Sequence, residues 1–581
     1  MNIFQEFRHK ILEAIARLQA SGQLPETIDP QRIATEPPRE ASHGDIATNA
    51  ALILGPQVHQ NPRAVAELLV ATLIDDAAIE RVDVAGPGFI NLRLSATFWQ
   101  QYLKRHLATV REWPNLGQGR LVNVEYVSAN PTGPMHAGHA RGAVFGDALA
   151  MLLSKVGYRV TKEFYINDSG GQIDTLARST HLRYREILGD TIGDIPAGLY
   201  PGEYLIDVAQ ALVARDGRRW YEAPEAQWLP ELRQFAVEQI MRVIKDDLYA
   251  MNIHHDYFAS EAALVAAGQV EAVVAELDRH GLIYRGMLEA PKGKVVDDWE
   301  PREQLLFRAT QFGDDIDRPL QRSDGQWTYF AKDIAYHYDK FRRGFSEMIN
   351  VLGADHGGYV KRLQSAVRAI SQNNAEVDIK ICQLVSFVED GQPLRMSKRA
   401  GTFVTLRDVV DRVGADVMRF IMLTRKNDVA LDFDFTKVQE QSKDNPVFYV
   451  QYAHARAHSV RRQCHTVFPD MGLDPSILAQ SDLTSLTHIA EIGVIKKLAE
   501  WPRQIEIAAH THEPHRIAFY LMDLAAAFHG LWNQGKELTQ LRFIDHGKAM
   551  HTQARLALVS AIAETIREGL GVLGVVAKDS M

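Results

Sequence analysis

The twenty residues from 123 to 142, NVEYVSANPTGPMHAGHARG, restrict the fold of this chain more than any other stretch. Val122, Val124, Tyr126 and Val127 read as a β-strand, and Asn130-Pro131-Thr132-Gly133-Pro134 as the break that ends it. Val144, Ala148, Leu149, Leu152, Leu153 and Val156 recur at helical spacing, which predicts a helix from about Ala137 to Lys155 with one buried face. His136 and His139 fall on one side of its first turn, where unpaired backbone N–H groups and the positive end of the dipole favour phosphate. Gly138 between them removes a side chain that would hold a nucleotide away. The segment therefore predicts a nucleotide site.

Far downstream, Pro393-Leu394-Arg395-Met396-Ser397-Lys398-Arg399-Ala400-Gly401-Thr402 forms a short cationic loop ending in small residues, suited to closing over a triphosphate. The chain has 581 residues, enough for three or four domains with substantial cores. Its 46% hydrophobic and 24% charged residues describe a globular protein rather than a disordered one. No segment reaches the ~18 apolar residues of a membrane span. The N-terminus MNIFQEFRHKILEAIARL reads as an amphipathic helix, not a targeting peptide. Two cysteines, Cys382 and Cys464, make neither a zinc site nor a disulfide framework, so a cytoplasmic protein is expected. The net charge of −9 disfavours a sequence-independent coat for DNA, yet leaves room for a local basic groove.

Residues 1–115 read as a separate α/β unit, followed by a linker at Trp113-Pro114-Asn115-Leu116-Gly117. From 116 to 440 strands and helices alternate as in a doubly wound fold, with strands predicted at 158–166, 327–330, 348–353 and 379–388 and a helix from Ala331. Residues 170–320, charge-rich and mainly helical, read as an insertion. From 441 to 581 the pattern is helical. The expected architecture is a Rossmann-like parallel-sheet core with a helical insertion, an N-terminal α/β domain and a C-terminal all-α bundle. In such sheets ligands bind at the carboxyl ends of the strands, which singles out Glu125 to Asn130, Tyr329 to Asp333, and Gly353-Ala354-Asp355-His356. Asp355 is equally readable as a helix N-cap.

HAGH (136–139) and RMSKR (395–399) resemble the two signatures of class I aminoacyl-tRNA synthetases, HIGH and KMSKS. The resemblance narrows to the arginyl-tRNA synthetase family through FYINDSGGQI (164–173), WTYFAKDIAYH (327–337), VLGADHGGY (351–359) and RMSKRAGTFVTL (395–406). HGDIATNAAL (43–52) and GPGFINLRL (86–94) are similar to that family's N-terminal domain, and FYVQYAHAR (448–456) to the start of its anticodon-binding bundle. Ala137 stands where Ile is commoner, and the second signature opens on Arg395 and closes on Arg399, with its lysine, Lys398, retained.

The resemblance implies that ATP and L-arginine form arginyl-adenylate and that the arginyl group passes to tRNA(Arg), with Mg²⁺ accompanying ATP and no protein ligands assigned to it. His136, His139 and Lys398 are the implied catalytic groups. Gly138, Gly353, Asp355, His356, Met396 and Ser397 join them around ATP. Glu125, Asn130, Tyr329 and Asp333 are implied to hold arginine, and a guanidinium suits paired carboxylates. Phe89, Asn91, Tyr449 and Tyr452 are implied tRNA contacts, through base stacking for the aromatic ones. A monomer is expected. Plainer readings stand beside these: a surface salt bridge from Asp333 to Lys332 or His337, core packing for Tyr449 and Tyr452, a solvated loop for His510, His512 and His515, and solvated helix ends for Lys340–Arg343. A synthetase for another amino acid and a non-catalytic tRNA-binding relative are the alternative functions.

Overall fold

The computed structural model describes residues 2–288, 302–394, 404–442 and 444–581. Helix α1 (Ile3–Ala20) opens the N-terminal unit, capped by Asn2. It packs with α2 (Ala50–Gln57) and α3 (Pro62–Leu73) beside a four-stranded antiparallel sheet of β1 (Thr35–Glu36), β2 (Ile46–Thr48), β3 (Ile79–Ala85) and β4 (Phe89–Leu94). Helix α4 (Ala96–Thr109) leads out of it.

The core sheet begins with β5 (Leu121–Glu125), followed by a 3₁₀ turn at Ala137–His139, α5 (Ala140–Lys155) and β6 (Arg159–Ile166). Three helices follow: α6 (Gly171–Ile187), α7 (Tyr204–Asp216) and α8 (Glu225–Ala250). The chain then returns as β7 (Tyr257–Ser260), which pairs with β6 at one edge of the same sheet. The stretch 170–320 is thus not wholly an insertion, because one core strand lies inside it. Beyond β7 come α9 (Glu261–Ala266), α10 (Gln269–Arg279) and a small antiparallel sheet of β8 (Ile283–Gly286), β9 (Gln304–Phe307) and β10 (Arg318–Pro319).

Helix α11 (Tyr329–Arg342) starts two residues earlier than predicted, on its N-cap Thr328, so 327–330 is not a strand. β11 (Glu347–Gly353), α12 (Val360–Ile370) and β12 (Glu376–Cys382) complete a five-stranded parallel sheet in the order β12-β11-β5-β6-β7. The predicted strand at 379–388 is two strands in different sheets. β13 (Val385–Glu389) pairs antiparallel with β14 (Gln392–Pro393) and, across α13 (Leu406–Val413) and α14 (Ala415–Met422), parallel with β15 (Leu431–Asp434). The remainder is helical: α15 (Phe435–Gln439), α16 (Pro446–Val467), α17 (Pro475–Leu478), α18 (Ile489–Ala499), α19 (Trp501–Thr511), α20 (His515–Glu537) and α21 (Ala549–Val572). Most of α21 is buried among its neighbours. No helix among the described residues is long and apolar enough to cross a membrane.

β5 is buried on both faces, as parallel central strands are. Val122 and Val124 face α5, while Asn123 and Glu125, alternating with them, turn polar side chains toward α11. The unusual feature is that this second face is polar and yet dry.

The expected linker at 113–117 is anchored: the Trp113 ring meets Trp501 edge-on at 5.6 Å and its indole N–H donates to Glu568 at 3.2 Å. Of the three histidines expected in a solvated loop, His510 is exposed on the last turn of α19, but His512 and His515 are not solvated. His512 Nδ1 lies 2.6 Å from Asp378 on β12, and His515 is buried in α20. Burial alone would raise the Asp378 carboxyl, but His512 and Lys380 hold it down at about 2. The helical bundle is therefore fastened to the sheet by the contact of His512 with Asp378.

A second fastening is Arg419 on α14, fully buried. It reaches Asp147 of α5 at 2.5 Å, the Leu573 carbonyl at 2.7 Å and the Met251 carbonyl at 2.9 Å. A Cβ on Gly574, whose φ is +67°, would lie 2.2 Å from the Arg419 guanidinium. Arg419→Met leaves Asp147 with Lys162 as its remaining counter-ion and is expected to destabilise the protein by about 3–5 kcal/mol, read as a lower urea midpoint by circular dichroism.

Candidate active site

At the carboxyl end of β5 the backbone turns sharply. Val127 (φ +70°) and Ser128 (φ +41°) both sit in the left-handed region, a rare conformation for a β-branched residue. Val127 is therefore not part of the strand. The turn brings the Ser128 hydroxyl to 3.0 Å from Glu125 Oε1, where it donates, and lets Ser128 Oγ accept from the Tyr165 N–H at 3.1 Å. Asn130 follows, exposed at the mouth.

The histidine pair lies just beyond. The two rings stack at 3.7 Å between centroids, and the His136 N–H donates to His139 Nδ1 at 3.2 Å. Accepting at Nδ1 leaves the His139 proton on Nε2. A Cβ on Gly138 would fall 2.9 Å from the His136 ring, so this glycine keeps room for the stacked pair as well as for a ligand. Met396, Ser397 and Lys398 lie outside the described residues. The segment that follows them is tied to the histidines: Ala137 N–H donates to the Val404 carbonyl at 3.0 Å, and Leu406 N–H to the Met135 carbonyl at 2.8 Å.

Beneath Met135 sits Asp247 of α8, buried, which accepts from the Met135 backbone and leaves Oδ2 with no hydrogen bond. Burial pushes its carboxyl up to about 6. Nothing in the sequence around Asp247 distinguishes it from the other acids of that helix.

The dry polar face of the sheet is the heart of the site. Lys340 of α11 is fully buried and bonds Glu125 Oε2 at 2.6 Å and Asn350 Oδ1 at 3.3 Å. Arg343 makes two 2.9 Å bonds to buried Glu163, which also accepts from Tyr336 at 2.7 Å and Asn123 at 2.6 Å. Lys340–Arg343 is therefore not a solvated helix end; two of its cations are counter-ions for sheet carboxylates. The signal was present as a helical stripe, Asp333, Tyr336, Lys340 and Arg343, at spacings of three and four. Sequence alone does not say that the stripe meets a polar sheet.

Lys332 takes a third carboxylate, Glu261 of α9, at 2.8 Å. Burial would raise Glu261, but the bonds from Lys332, Ser169 and Tyr165 outweigh it and keep the carboxyl low. Asp333 differs. It lies on the first turn of α11 rather than at a strand end, and it makes no salt bridge among the described residues. Its Oδ2 accepts from the Tyr359 hydroxyl at 2.9 Å, while His337 bonds only its backbone carbonyl. Burial, with repulsion from Glu125 and Glu261 added, pushes its carboxyl up to about 7 against the opposing Tyr359 bond. The expected partners Lys332 and His337 are thus engaged elsewhere, and Tyr359 holds Asp333.

Tyr329 opens α11 with its ring exposed, and Lys332 Nζ stands 5.6 Å from that ring. Gly353, the last residue of β11, and Asp355 and His356 beyond it are exposed, with Asp355 Oδ2 3.6 Å from His356 Nε2. Gly353, not Asp355, occupies the N-cap position there. Four sites lie far from this cleft. Phe89 is exposed at the start of β4, whereas Asn91 in the same strand is buried. Tyr449 is half-buried against His529, with rings 4.4 Å apart. Tyr452 is exposed, stacked on Phe448 at 5.6 Å and covered by Arg456.

Three family models match the chain. "Arginyl tRNA synthetase N terminal domain" matches residues 5–94, "tRNA synthetases class I (R), catalytic domain" matches 103–200 and 225–459, and "DALR anticodon binding domain" matches 450–581. Proteins named arginine–tRNA ligase from Ruegeria pomeroyi and from a Methylobacterium species are each 55% identical, over 100% of both chains. A solved structure titled putative arginyl-tRNA synthetase from Campylobacter jejuni is 32% identical, with TM-score 0.71, over 84% of this chain and 100% of its own. The Thermus thermophilus arginyl-tRNA synthetase, 21% identical with TM-score 0.72 over 99% and 100%, shares the fold.

Lys340→Met strands Glu125 in a dry site and is expected to lower stability by about 3–5 kcal/mol in urea unfolding, with most of the loss recovered when Glu125→Gln is added.

Proposed function

The chain belongs to the arginyl-tRNA synthetase family, and from that premise we propose how its own residues divide the work of an arginine–tRNA ligase. It attaches L-arginine to tRNA at the expense of ATP. The carboxylate oxygen of arginine attacks the α-phosphorus, the bond to the bridging oxygen breaks and pyrophosphate leaves. A hydroxyl of the terminal adenosine of tRNA then attacks the acyl carbon, and AMP departs.

The observation that carries the arginine reading is the charge balance of the cleft. Glu125, Glu163 and Glu261 already have cations at 2.6 to 2.9 Å, while among the described residues Asp333 has a hydrogen bond from Tyr359 and no salt bridge, Arg362 acting on it only electrostatically. Asp333 is the carboxylate left for an incoming guanidinium. Glu125 and Tyr329 flank it, and Asn130 takes the α-amino end. A compact ammonium makes one bond where the planar fork makes two, so lysine leaves buried acceptors unpaired, which supports discrimination of up to ~10⁴.

ATP lies over Gly138 and along Gly353, Asp355 and His356. His136 and His139 donate to the phosphoryl oxygens as charge builds on them, and Lys398, with Met396 and Ser397, stabilises the departing pyrophosphate. The bonds from Val404 and Leu406 to the histidine turn support a concerted action of the two signatures. Mg²⁺ enters with ATP. Asp355, open to solvent, is the carboxylate of this set, which suits an ion held chiefly by phosphate and water. Phe89 and Tyr452 stack on bases, while buried Asn91 and half-buried Tyr449 support their neighbours' placement. The enzyme acts as a cytoplasmic monomer of three units, 1–115, 116–440 and 441–581. The C-terminal unit, whose model is an anticodon-binding domain, takes the anticodon.

The test of this reading is ATP–pyrophosphate exchange with arginine, lysine, glutamine and no amino acid, each with and without tRNA. Exchange with arginine alone is expected; exchange with lysine or glutamine instead, or none from protein that binds tRNA, contradicts it. Below pH 7 Asp333 takes up a proton and loses its attraction for guanidinium. The KM for arginine should therefore rise about tenfold per pH unit below 7 and level off above 8. Lys398→Ala is expected to slow exchange by ~10²–10³ while tRNA affinity stays within about twofold, by filter binding.

A further inference from the structure

We propose that His454, His458 and Asp579 form a site for one divalent transition-metal ion of the zinc class, fastening the C-terminal tail to α16. His454 and His458 are one turn apart on α16, and their ring centroids are 4.5 Å apart. After α21 the chain reverses at Gly574 and runs back along α16. Gln451 donates to the Val576 carbonyl at 2.8 Å, the Val576 N–H to Asp416 at 3.0 Å, and Arg462 to the Asp579 carbonyl at 3.0 Å. These bonds hold the Asp579 carboxylate over the two rings, with Oδ1 3.5 Å from His458 Nε2 and 3.7 Å from His454 Nδ1.

One donor atom from each of the three residues lies within 4.8 Å of the others. Tetrahedral bonds of about 2.0–2.1 Å separate ligand atoms by roughly 3.4 Å, close to the two shorter edges. The Lys578 carbonyl, 2.9 Å from His454 Nδ1, supplies a further oxygen. Two imidazoles with oxygen donors suit zinc, nickel, cobalt or copper rather than magnesium or calcium.

His454 is only 1% exposed, and its Nε2 has no hydrogen-bond partner among the described residues. With its proton on Nδ1 the ring buries a lone pair at Nε2. With the proton on Nε2, the Nδ1 lone pair faces two oxygens, and a cation between them turns that repulsion into coordination. No such reason attaches to His9 and Glu13, a surface pair at 3.2 Å on α1 with both side chains open to solvent.

The test is Zn²⁺ titration of chelator-stripped full-length protein against a chromophoric competitor, for the wild type, His458→Ala, Asp579→Ala and the control His9→Ala. His458 and Asp579 are partly and largely exposed, so these variants are expected to fold, as circular dichroism will check. One Zn²⁺ should bind the wild type with Kd of about 1 µM or tighter. His458→Ala and Asp579→Ala should each weaken it at least about tenfold, and His9→Ala should not. Zn²⁺ should also slow amide exchange over residues 575–581 in the wild type and in His9→Ala, and less at the same Zn²⁺ concentration in His458→Ala and Asp579→Ala. Wild-type binding weaker than about 100 µM, or equal binding by all four proteins, overturns the proposal.

Discussion

A carboxylate kept away from water must be given a cation or take up a proton, and most of the catalytic core follows from meeting that demand on one face of one sheet. Glu125 and Glu163 stand at equivalent levels of β5 and β6, on the face covered by α11. Each would be intolerable there alone. Helix α11 supplies Lys340 to the first and Arg343 to the second, and Lys332 to Glu261 beyond the sheet's edge. The helix is thereby set in angle and register by its charges as much as by its apolar contacts. Asp333, on the same helix, is the member of the set with no salt bridge among the described residues, and the proposed site for a cationic substrate rests on that omission. On the proposed reading, arginine binds where the protein's own basic side chains stop.

The other face of the sheet obeys the same rule with a different outcome. Asp147 on α5 is matched by Arg419 and Lys162, which outweigh the burial that would raise its carboxyl and hold it low. Because Arg419 also bonds the ends of α8 and α21, charge neutralisation under the sheet doubles as the junction between core and bundle. The contact of His512 with Asp378 adds a second junction on β12. The bundle is thus joined to the core at α5 and at β12. The Val404 and Leu406 bonds link the histidine turn to the segment that follows the second signature in the sequence.

Much of this was legible in the sequence where the pattern is local. The strand, break and helix around HAGH follow from periodicity and turn residues, and the histidines' place on the first turn follows from spacing. Three things were not. β7 is four residues long with no alternation to mark it, and only pairing with β6 reveals it as a core strand. Lys340 and Arg343 look like a solvated helix end, because a charge run carries no record of what faces it. The sequence singles out Asp333 as a candidate, but its place on a helix and its lack of a salt bridge among the described residues depend on where Lys332 and His337 point. Val127 and Ser128 gave no warning of left-handed backbone; neither is a residue type that favours it.

The central claim, that Asp333 is the unanswered carboxylate which receives the guanidinium, is tested most directly by counting protons. Arginine binding is measured calorimetrically at pH 7 in buffers of different ionisation enthalpy. If Asp333 titrates near 7 and is ionised by the incoming cation, the wild type should release about half a proton per arginine bound, and Asp333→Asn none. Binding with no proton release by the wild type, or unchanged release by Asp333→Asn, contradicts the account.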